Sequence, residues 1–364
     1  MPRVAVIGGG IIGAAAAYHL ARQGYGVTLF ERDQLGGGST GRSVGEVEAQ
    51  YAEEDAVSHR VFSLRFLERL EQETGRRLIH RNGYLRLGRT DDALRGFAES
   101  LRLQNELGWT GARLLDVAEA ASIVPGLCTD GISGALLGPH DGYVDPVEVT
   151  DLLVAQARSL GATVRIGHEV RSVTPGPSGV ELEVGAEVLH CEVAVVAAGP
   201  WLDSLRAGYG AEGRIRNERH EVCVVTLSQD YPDIPFTMDY LPGGDVPGIY
   251  FRLEGPGRML IGLHDEGSTA TTVSPDDWQT SLSDAGRDAI IARFLEIMPA
   301  VGATAGFLGG WAGLYPFTDT GIPTVTWAVP GRVLEAVGFG GVGVQLGPWA
   351  GHEVQRLVAS AVPK

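Results

Sequence analysis

The sequence predicts an α/β fold in two units: a parallel sheet covered by helices, and a second α+β unit on a mostly antiparallel sheet. Three observations carry this. The apolar run Val4-Ala5-Val6-Ile7 stops at Gly8, as a strand buried on both faces does, and a helical stretch from Ile12 to Gln23 leads to a second run, Val27-Thr28-Leu29-Phe30. Between Glu221 and His264, three β-type runs (222–227, 249–253 and 259–263) are separated by proline and glycine turns, the pattern of an antiparallel meander. The 52 glycines gather at Gly8–Gly13, Gly36–Gly41 and Gly338–Gly343, so the first unit draws on both ends of the chain.

The length of 364 residues suits two domains, and 44% hydrophobic with 20% charged residues is ordinary globular composition. We assign 1–82, 145–205 and 310–364 to the first unit, and 83–144 and 206–309 to the second. Gly24 stops the first helix. Val57, Val61, Leu64, Leu67 and Leu70 recur at helical spacing between Ala56 and Glu73, and Gly75 closes that helix. Tyr84 to Leu87 reads as a strand, followed by a helix from about Asp91 to Leu107. Further helices are expected at Thr150–Leu160, within Asp276–Met298 and at Ala350–Ala361, with short buried strands at Thr163–Ile166 and Val193–Ala198.

Acidic residues outnumber basic ones by 45 to 29, a net charge of −16 that repels nucleic acid and anionic membrane at long range. No apolar run approaches the ~20 residues of a membrane span. The N-terminus lacks a signal-peptide layout, so a soluble, cytoplasmic protein is expected. Cys128, Cys191 and Cys223 are odd in number and far apart, which suits free thiols in a reducing compartment. The nine histidines show no ligand spacing, and no metal is expected.

Four segments carry chemistry. Gly8-Gly9-Gly10-Ile11-Ile12-Gly13 is a G-x-G-x-x-G between strand and helix. Gly8 permits the tight turn, Gly10 lets a pyrophosphate reach the backbone, and Gly13 lets helix and strand pack closely. The helix N-terminus offers N–H groups to the phosphates. Glu31 ends the second strand, where a carboxylate accepts ribose hydroxyls. This is a Rossmann-like FAD/NAD(P)-binding signature, and alone it does not separate FAD from NAD. The loop Gly36-Gly37-Gly38-Ser39-Thr40-Gly41-Arg42-Ser43 follows, able to wrap the pyrophosphate and ribityl chain of a flavin. Val193 to Trp201 is a buried strand ending in small residues, and Gly338 to Gln345 precedes the last helix, whose first N–H groups could face a flavin ring edge.

With these residues in hand, the chain resembles the D-amino-acid oxidase-type (DAO) superfamily of FAD oxidoreductases, in its sarcosine and glycine oxidase-like branch. The matching stretches are Val4–Glu31, Gly36–Ser43, Asp141–Pro146, Ala194–Trp201, Gly248–Gly262, Trp311–Pro323 and Gly338–Gly351. The resemblance implies an FAD domain beside a sheet-built substrate domain with the flavin ring between them. It also implies oxidation of a C–N bond of a small amine by hydride transfer to flavin N5, giving an imine that water hydrolyses. Carried over residue by residue, the cofactor contacts are Gly8, Gly10, Ile12, Gly13, Glu31, Arg32, Ser39, Thr40, Arg42, Ser43, Val170, Gly199, Trp201, Gly313, Gly340, Gly341, Val342, Gly343, Val344 and Gln345. Relatives that tether their flavin use a cysteine near Trp311–Thr318 or a histidine near the Gly-Ser-Thr segment. This chain has Gly313, Leu314, Tyr315 and Arg42 there, so FAD is expected to be non-covalent.

The departures from the family bear on the substrate. Glu48 stands where many relatives carry a carboxylate-binding arginine, and Gln345 where sarcosine oxidases carry a lysine. An acid there disfavours a substrate carboxylate and favours an ammonium, which points to an amine without a simple α-carboxylate. In the competing arrangement Glu46 and Glu48 face solvent and Arg252 holds a carboxylate, with Arg219 as a further anchor, as for a sarcosine- or glycine-type amino-acid oxidase. Tyr250, Phe251, Trp311 and Tyr315 are candidates for an aromatic cage around a cationic amine. His264 matches a histidine near the flavin in sarcosine oxidases and is a candidate catalytic residue that tunes the substrate amine. Leu260 replaces a lysine tied to oxygen activation, which turns the expected electron acceptor from O2 toward another carrier. Oxidation of a 2-hydroxy acid, and a non-catalytic flavoprotein subunit, remain as alternatives.

Overall fold

The computed structural model describes residues 1–228, 230–240, 247–264 and 272–362. A six-stranded sheet runs in the order Thr324–Val329, Val333–Val337, Val193–Val196, Arg3–Ile7, Gly26–Glu31, Thr163–Ile166, parallel except for the first strand. The unbroken apolar runs are explained by burial on both faces. Val4 and Val6 point into a core with the helices Ile11–Arg22, Glu54–Thr74, Pro146–Ser159 and Gly343–Ala361. Ala5 and Ile7 point the opposite way, against the antiparallel sheet Val170–Gly176, Gly179–Val184, Glu187–Cys191 and the short helix Leu202–Arg206.

The second large sheet has eight strands, in the order Gly306–Phe317, Arg216–Thr226, Arg258–His264, Gly248–Leu253, Phe236–Asp239, Tyr84–Gly88, Gly134–Gly138, Arg113–Leu115. All its neighbours are antiparallel except Phe236–Asp239 beside Tyr84–Gly88. Alternation divides its side chains. Cys223, Val225, Ile249, Phe251, Met259 and Ile261 pack on the helix Asp284–Ile297, whereas Val222, Tyr84, Phe236, Met238, Tyr250 and Leu260 form a cluster on the other face. A small sheet of Glu46–Val47, Gly142–Val144 and Ile79–His80 lies beside that cluster through Tyr143. The expected division at 309/310 falls inside the single strand Gly306–Phe317.

Three helices differ from expectation at their starts. Pro146–Ser159 begins ahead of Thr150 because Asp145 accepts the Val147 and Glu148 N–H groups and Pro146 takes the first helical position. Asp284–Ile297 begins after Asp276, capped by Ser283. The last helix, Gly343–Ala361, begins ahead of Ala350 and contains Pro348. Its glycines allow close packing on the first helix: a Cβ on Gly351 would lie 2.4 Å from the Ala15 carbonyl carbon, and one on Gly347 would lie 2.8 Å from Ile11. The three cysteines are free, and no described helix is long and apolar enough to cross a membrane.

Candidate active site

A cleft of about 680 Å³ runs along the C-terminal ends of the central parallel strands, over the Gly8–Gly13 turn, and reaches the strand carrying Gly313 to Pro316. Gly8 has φ +109°, and an added Cβ would lie 2.4 Å from the Ala197 carbonyl oxygen. A Cβ on Gly13 would lie 1.9 Å from the Gly8 oxygen, so Gly13 packs behind the turn and does not line the cleft. Glu31 pins the turn: Gly9 N–H donates to Oε2 at 2.7 Å and Asp33 N–H to Oε1 at 2.8 Å. Thr40 Oγ1 accepts the Ile11 N–H at 3.1 Å.

The Gly36–Ser43 loop is clamped from within. Gly36 N–H donates to Gly9 O at 2.9 Å, and Arg42 donates to the Gly37 and Gly38 carbonyls. It is also tied to the other sheet, by Ser39 Oγ to Leu314 O at 2.7 Å and Trp311 Nε1 to Arg42 O at 2.9 Å. Of the cofactor residues expected from the sequence, Gly8, Gly10, Ile12, Glu31, Arg32, Ser39, Thr40, Arg42, Ser43, Val170, Gly199, Trp201, Gly313, Gly340, Gly341, Gly343 and Val344 line the cleft. Val342, at the end of the short turn Gly340–Val342, packs against the helical core, and Gln345 is buried away from the cleft because the helix already begins at Gly343 and turns it inward. Sequence reading missed His168, Pro275, Trp278 and Thr280. The 275–280 segment reaches the cleft from the other sheet, anchored by Asp276, which accepts the Trp201 indole N–H at 2.7 Å and stands 3.5 Å from Arg32. No local pattern signals such a crossing.

On the sheet side, Tyr250 and Tyr315 share a hydrogen bond, and Tyr315 lines the cleft. His220 stacks on Tyr315 at 4.0 Å, and the rings of Tyr84, Phe236 and Tyr250 stack in series at 5.1 and 5.8 Å. Burial holds both Tyr250 and Tyr315 phenols protonated, well above the ordinary range. Leu260 is buried on this face. Arg252 is also buried: it pairs with Glu254, donates to Leu253 O at 2.9 Å and Val44 O at 3.3 Å, and lies 4.0 Å over the Tyr143 ring, with its Nε unpartnered.

Glu48 is corrected by the structure. It is 1% exposed, with Arg60 and Arg86 at 3.5 and 3.8 Å, Gln345 Nε2 donating to Oε1 at 3.1 Å, and the Gln50 N–H on Oε2. A carboxylate so neutralised has no charge left for a substrate cation, and Gln345 is committed to it. Glu48 does not face solvent. Glu46 is half-buried and accepts the Tyr84 hydroxyl at 3.3 Å, and burial together with the nearby Glu48 charge pushes its carboxyl up to about 7. Arg219 is also corrected, because it donates to Gln279 O and Ser281 O and pairs with Glu221. Phe251 leaves the expected aromatic cage, since alternation turns it onto Phe294 in the helix-covered core. His264 lies at its strand end, edge-on to Tyr240 at 4.5 Å, and is not among the residues that line the cleft.

A family model described as FAD dependent oxidoreductase (DAO) matches residues 3–357. The chain belongs to the DAO family of FAD-dependent oxidoreductases. This DAO-family chain is 26% identical over 368 residues to glycine oxidase of Geobacillus kaustophilus, covering 98% of itself and 92% of that protein. It is 27% identical over 373 residues to 4-methylaminobutanoate oxidase (formaldehyde-forming) of Paenarthrobacter nicotinovorans, spanning 99% of itself but only 44% of that longer protein. In fold it matches L-proline dehydrogenase from P. horikoshii with a TM-score of 0.86 and 24% identity, over 99% of this chain and 93% of the other.

The residues present fit FAD. Gly10 leaves the backbone open, since an added Cβ would meet only Thr40 Oγ1, at 3.1 Å. Glu31 offers remaining lone pairs at the strand end. Gly340 and Gly341 bring the backbone against the Phe317 and Tyr315 rings, where a Cβ would sit 2.3 and 2.6 Å from ring carbons.

Proposed function

We propose that this DAO-family enzyme oxidises the C–N bond of a small secondary or primary amine to an imine, the substrate lying between FAD and the Tyr250–Tyr315 pair. The observation that carries this is one cleft joining the glycine turn to Tyr315. The N-terminal turn, the Gly36–Ser43 loop and the Gly340–Val344 segment would hold FAD, which when bound supplies the hydride acceptor. The chain's own residues orient the amine: the tyrosine pair presents hydroxyl dipoles and ring faces, while buried Leu260 and Val222 exclude water. We take the substrate to lack an α-carboxylate at this end, because Glu254 already balances Arg252 and Glu48 balances Arg86, the cation beside Tyr84 on the same face. The named activity of the 4-methylaminobutanoate oxidase relative supports an N-methylamine whose carboxylate is remote.

One observation favours a second reading. The buried, unpartnered Nε of Arg252 could receive the carboxylate of a glycine- or sarcosine-type amino acid. Under either reading FAD is bound non-covalently, since among the described residues the cleft lining holds no cysteine and one histidine, His168. Leu260 favours an electron acceptor other than O2, and the three free thiols suit the cytoplasm. The test is turnover with dichlorophenolindophenol as acceptor, dimethylamine, 4-methylaminobutanoate, sarcosine and glycine as substrates, and carbonyl product measured. Carbonyl release tracking dye reduction is expected, strongest with the first two amines. Dye reduction by none of the four sinks the proposal.

A further inference from the structure

We infer that Asp276 is a positioning residue that clasps the 275–280 segment along the cofactor cleft, and that opening of this clasp admits and releases FAD. This rests on FAD occupying the cleft, as proposed above, and holds whichever amine is oxidised.

The segment forms a thin wall. Pro275, Trp278 and Thr280 line the cleft, while Asp276, Asp277 and Gln279 between them are exposed. One stretch of chain therefore has the cleft on one side and water on the other. Its two ends are fixed to the eight-stranded sheet. Val273 N–H donates to Asn217 O at 3.1 Å, and Ala312 N–H donates to Thr280 O at 2.8 Å. The Arg219 guanidinium adds bonds to Gln279 O and Ser281 O at 2.8 and 2.6 Å.

The middle is held differently. The polar and ring contacts that join it to the parallel-sheet side, among the described residues, run through side chains. Asp276 accepts the Trp201 indole N–H at 2.7 Å and stands 3.5 Å from Arg32, and the Arg42 guanidinium lies 5.6 Å from the Trp278 ring. Asp276 thus acts through two residues of the cleft lining. The Arg32 guanidinium lies 4.1 Å over the Trp201 ring, and a Cβ on Gly38 would lie 3.2 Å from the same ring. The indole packs on Arg32 and on the Gly36–Ser43 loop, and the bond to Asp276 fixes its plane there.

These contacts suit reversible opening. The Asp276 side chain is 68% exposed, and exposed charge pairs hold weakly against water and salt. The walls opposite are packed into the core, with Ile11 and Val344 both buried in it. A segment secured at its ends to one sheet and at its middle by such contacts opens locally while both sheets stay folded.

The test compares wild type with Asp276→Ala, Asp276→Asn, Trp201→Phe and the double variant Asp276→Ala/Trp201→Phe. FAD release is followed by free-flavin fluorescence after dilution of the loaded enzyme, and FAD uptake by quenching on the apoprotein. Asp276→Ala should release FAD about tenfold faster and also take it up several-fold faster, so that affinity changes less than either rate. Asp276→Asn, which can still accept the indole N–H but carries no charge for Arg32, should fall between. Adding Asp276→Ala to Trp201→Phe should change release by about threefold at most, because the two side chains share one hydrogen bond. Unchanged rates in Asp276→Ala overturn the inference. Faster release with unchanged uptake overturns it too, since Asp276 would then only prop the bound cofactor.

A second readout needs no flavin. In the apoprotein, exchange of the Trp201 indole N–H with water is measured by nuclear magnetic resonance, the signal being identified by its loss in Trp201→Phe. Exchange should be at least about tenfold slower in wild type than in Asp276→Ala. Equal exchange overturns the clasp. A wild type that takes up no FAD overturns the cofactor reading of the cleft instead, and the indole exchange then decides the clasp alone.

Discussion

On the glycine-rich wall of the cleft, the contacts set a backbone group against a partner from the same N-terminal stretch: Gly9 N–H on the Glu31 carboxylate, Ile11 N–H on the Thr40 hydroxyl, Gly36 N–H on Gly9 O, and the Arg42 side chain on the Gly37 and Gly38 carbonyls. On the sheet side, Glu46, Tyr84, Tyr250 and Tyr315 come from four different strands and meet through side chains, Tyr84 on Glu46 and Tyr250 on Tyr315. The first wall is set by the spacing of glycines, so substitutions there act on the fold and on cofactor affinity. The second is set by sheet topology, so substitutions there act on chemistry and on internal charge. Glu46 and Glu48 sharpen the contrast within the second wall, one nearly bare and one enclosed by guanidinium groups.

The largest expected effect breaks the first wall. Gly13→Val forces a side chain into the 1.9 Å gap against the Gly8 oxygen, where backbone cannot yield. A loss on the order of 3 kcal/mol or more is expected from such overpacking, seen as a lower urea midpoint and purification without flavin colour. Gly10→Ala makes the counter-test, because its Cβ would meet no backbone, only the Thr40 hydroxyl in a tight 3.1 Å contact. The apoprotein midpoint should stay within about 1 kcal/mol of wild type, as Gly-to-Ala changes do, while FAD titration shows weaker binding. Equal losses of stability in both variants would erase the distinction between packing glycine and cofactor glycine.

On the second wall, Glu48→Ala leaves Arg60 and Arg86 without their counter-charge in a buried site. Breaking a buried pair from one side destabilises by about 3–5 kcal/mol, measurable in the same urea titration. Glu46→Gln should do the reverse at alkaline pH. The Glu46 carboxyl lies at about 7 in the folded chain against an ordinary 4.5, and burial likewise raises Asp141 to about 8 from 3.8. The folded state therefore holds more protons than the unfolded state between these values, and stability falls as pH rises through the window. Glu46→Gln and Asp141→Asn should each flatten that fall, becoming more stable than wild type near pH 8 and indistinguishable from it near pH 4, as urea midpoints across the range would record.

Much of the first wall was legible because its determinants are local. Gly8, Gly10, Gly13 and Glu31 sit at fixed offsets between strand and helix, and the structure brings all but the packing glycine to the cleft. The sheet alternation that aims Tyr250 and Arg252 one way and Phe251 the other was available in the same spacing but was not applied to the aromatic cage. Glu48 misled because its meaning depends on Arg60, Arg86 and Gln345, none of which is near it in sequence. The last helix was read short because Gly343, Gly347 and Pro348 oppose helix locally, and only packing on Ile11 and Ala15 explains them.

The most direct measurement is an anaerobic titration of the purified, FAD-loaded enzyme with dimethylamine, 4-methylaminobutanoate, sarcosine and glycine, following the oxidised-flavin band. Bleaching is expected, most complete with the amines that lack an α-carboxylate. Bleaching by sarcosine and glycine alone would return the site to Arg252-anchored amino-acid oxidation. A band that none of the four amines bleaches would contradict amine oxidation at this cleft.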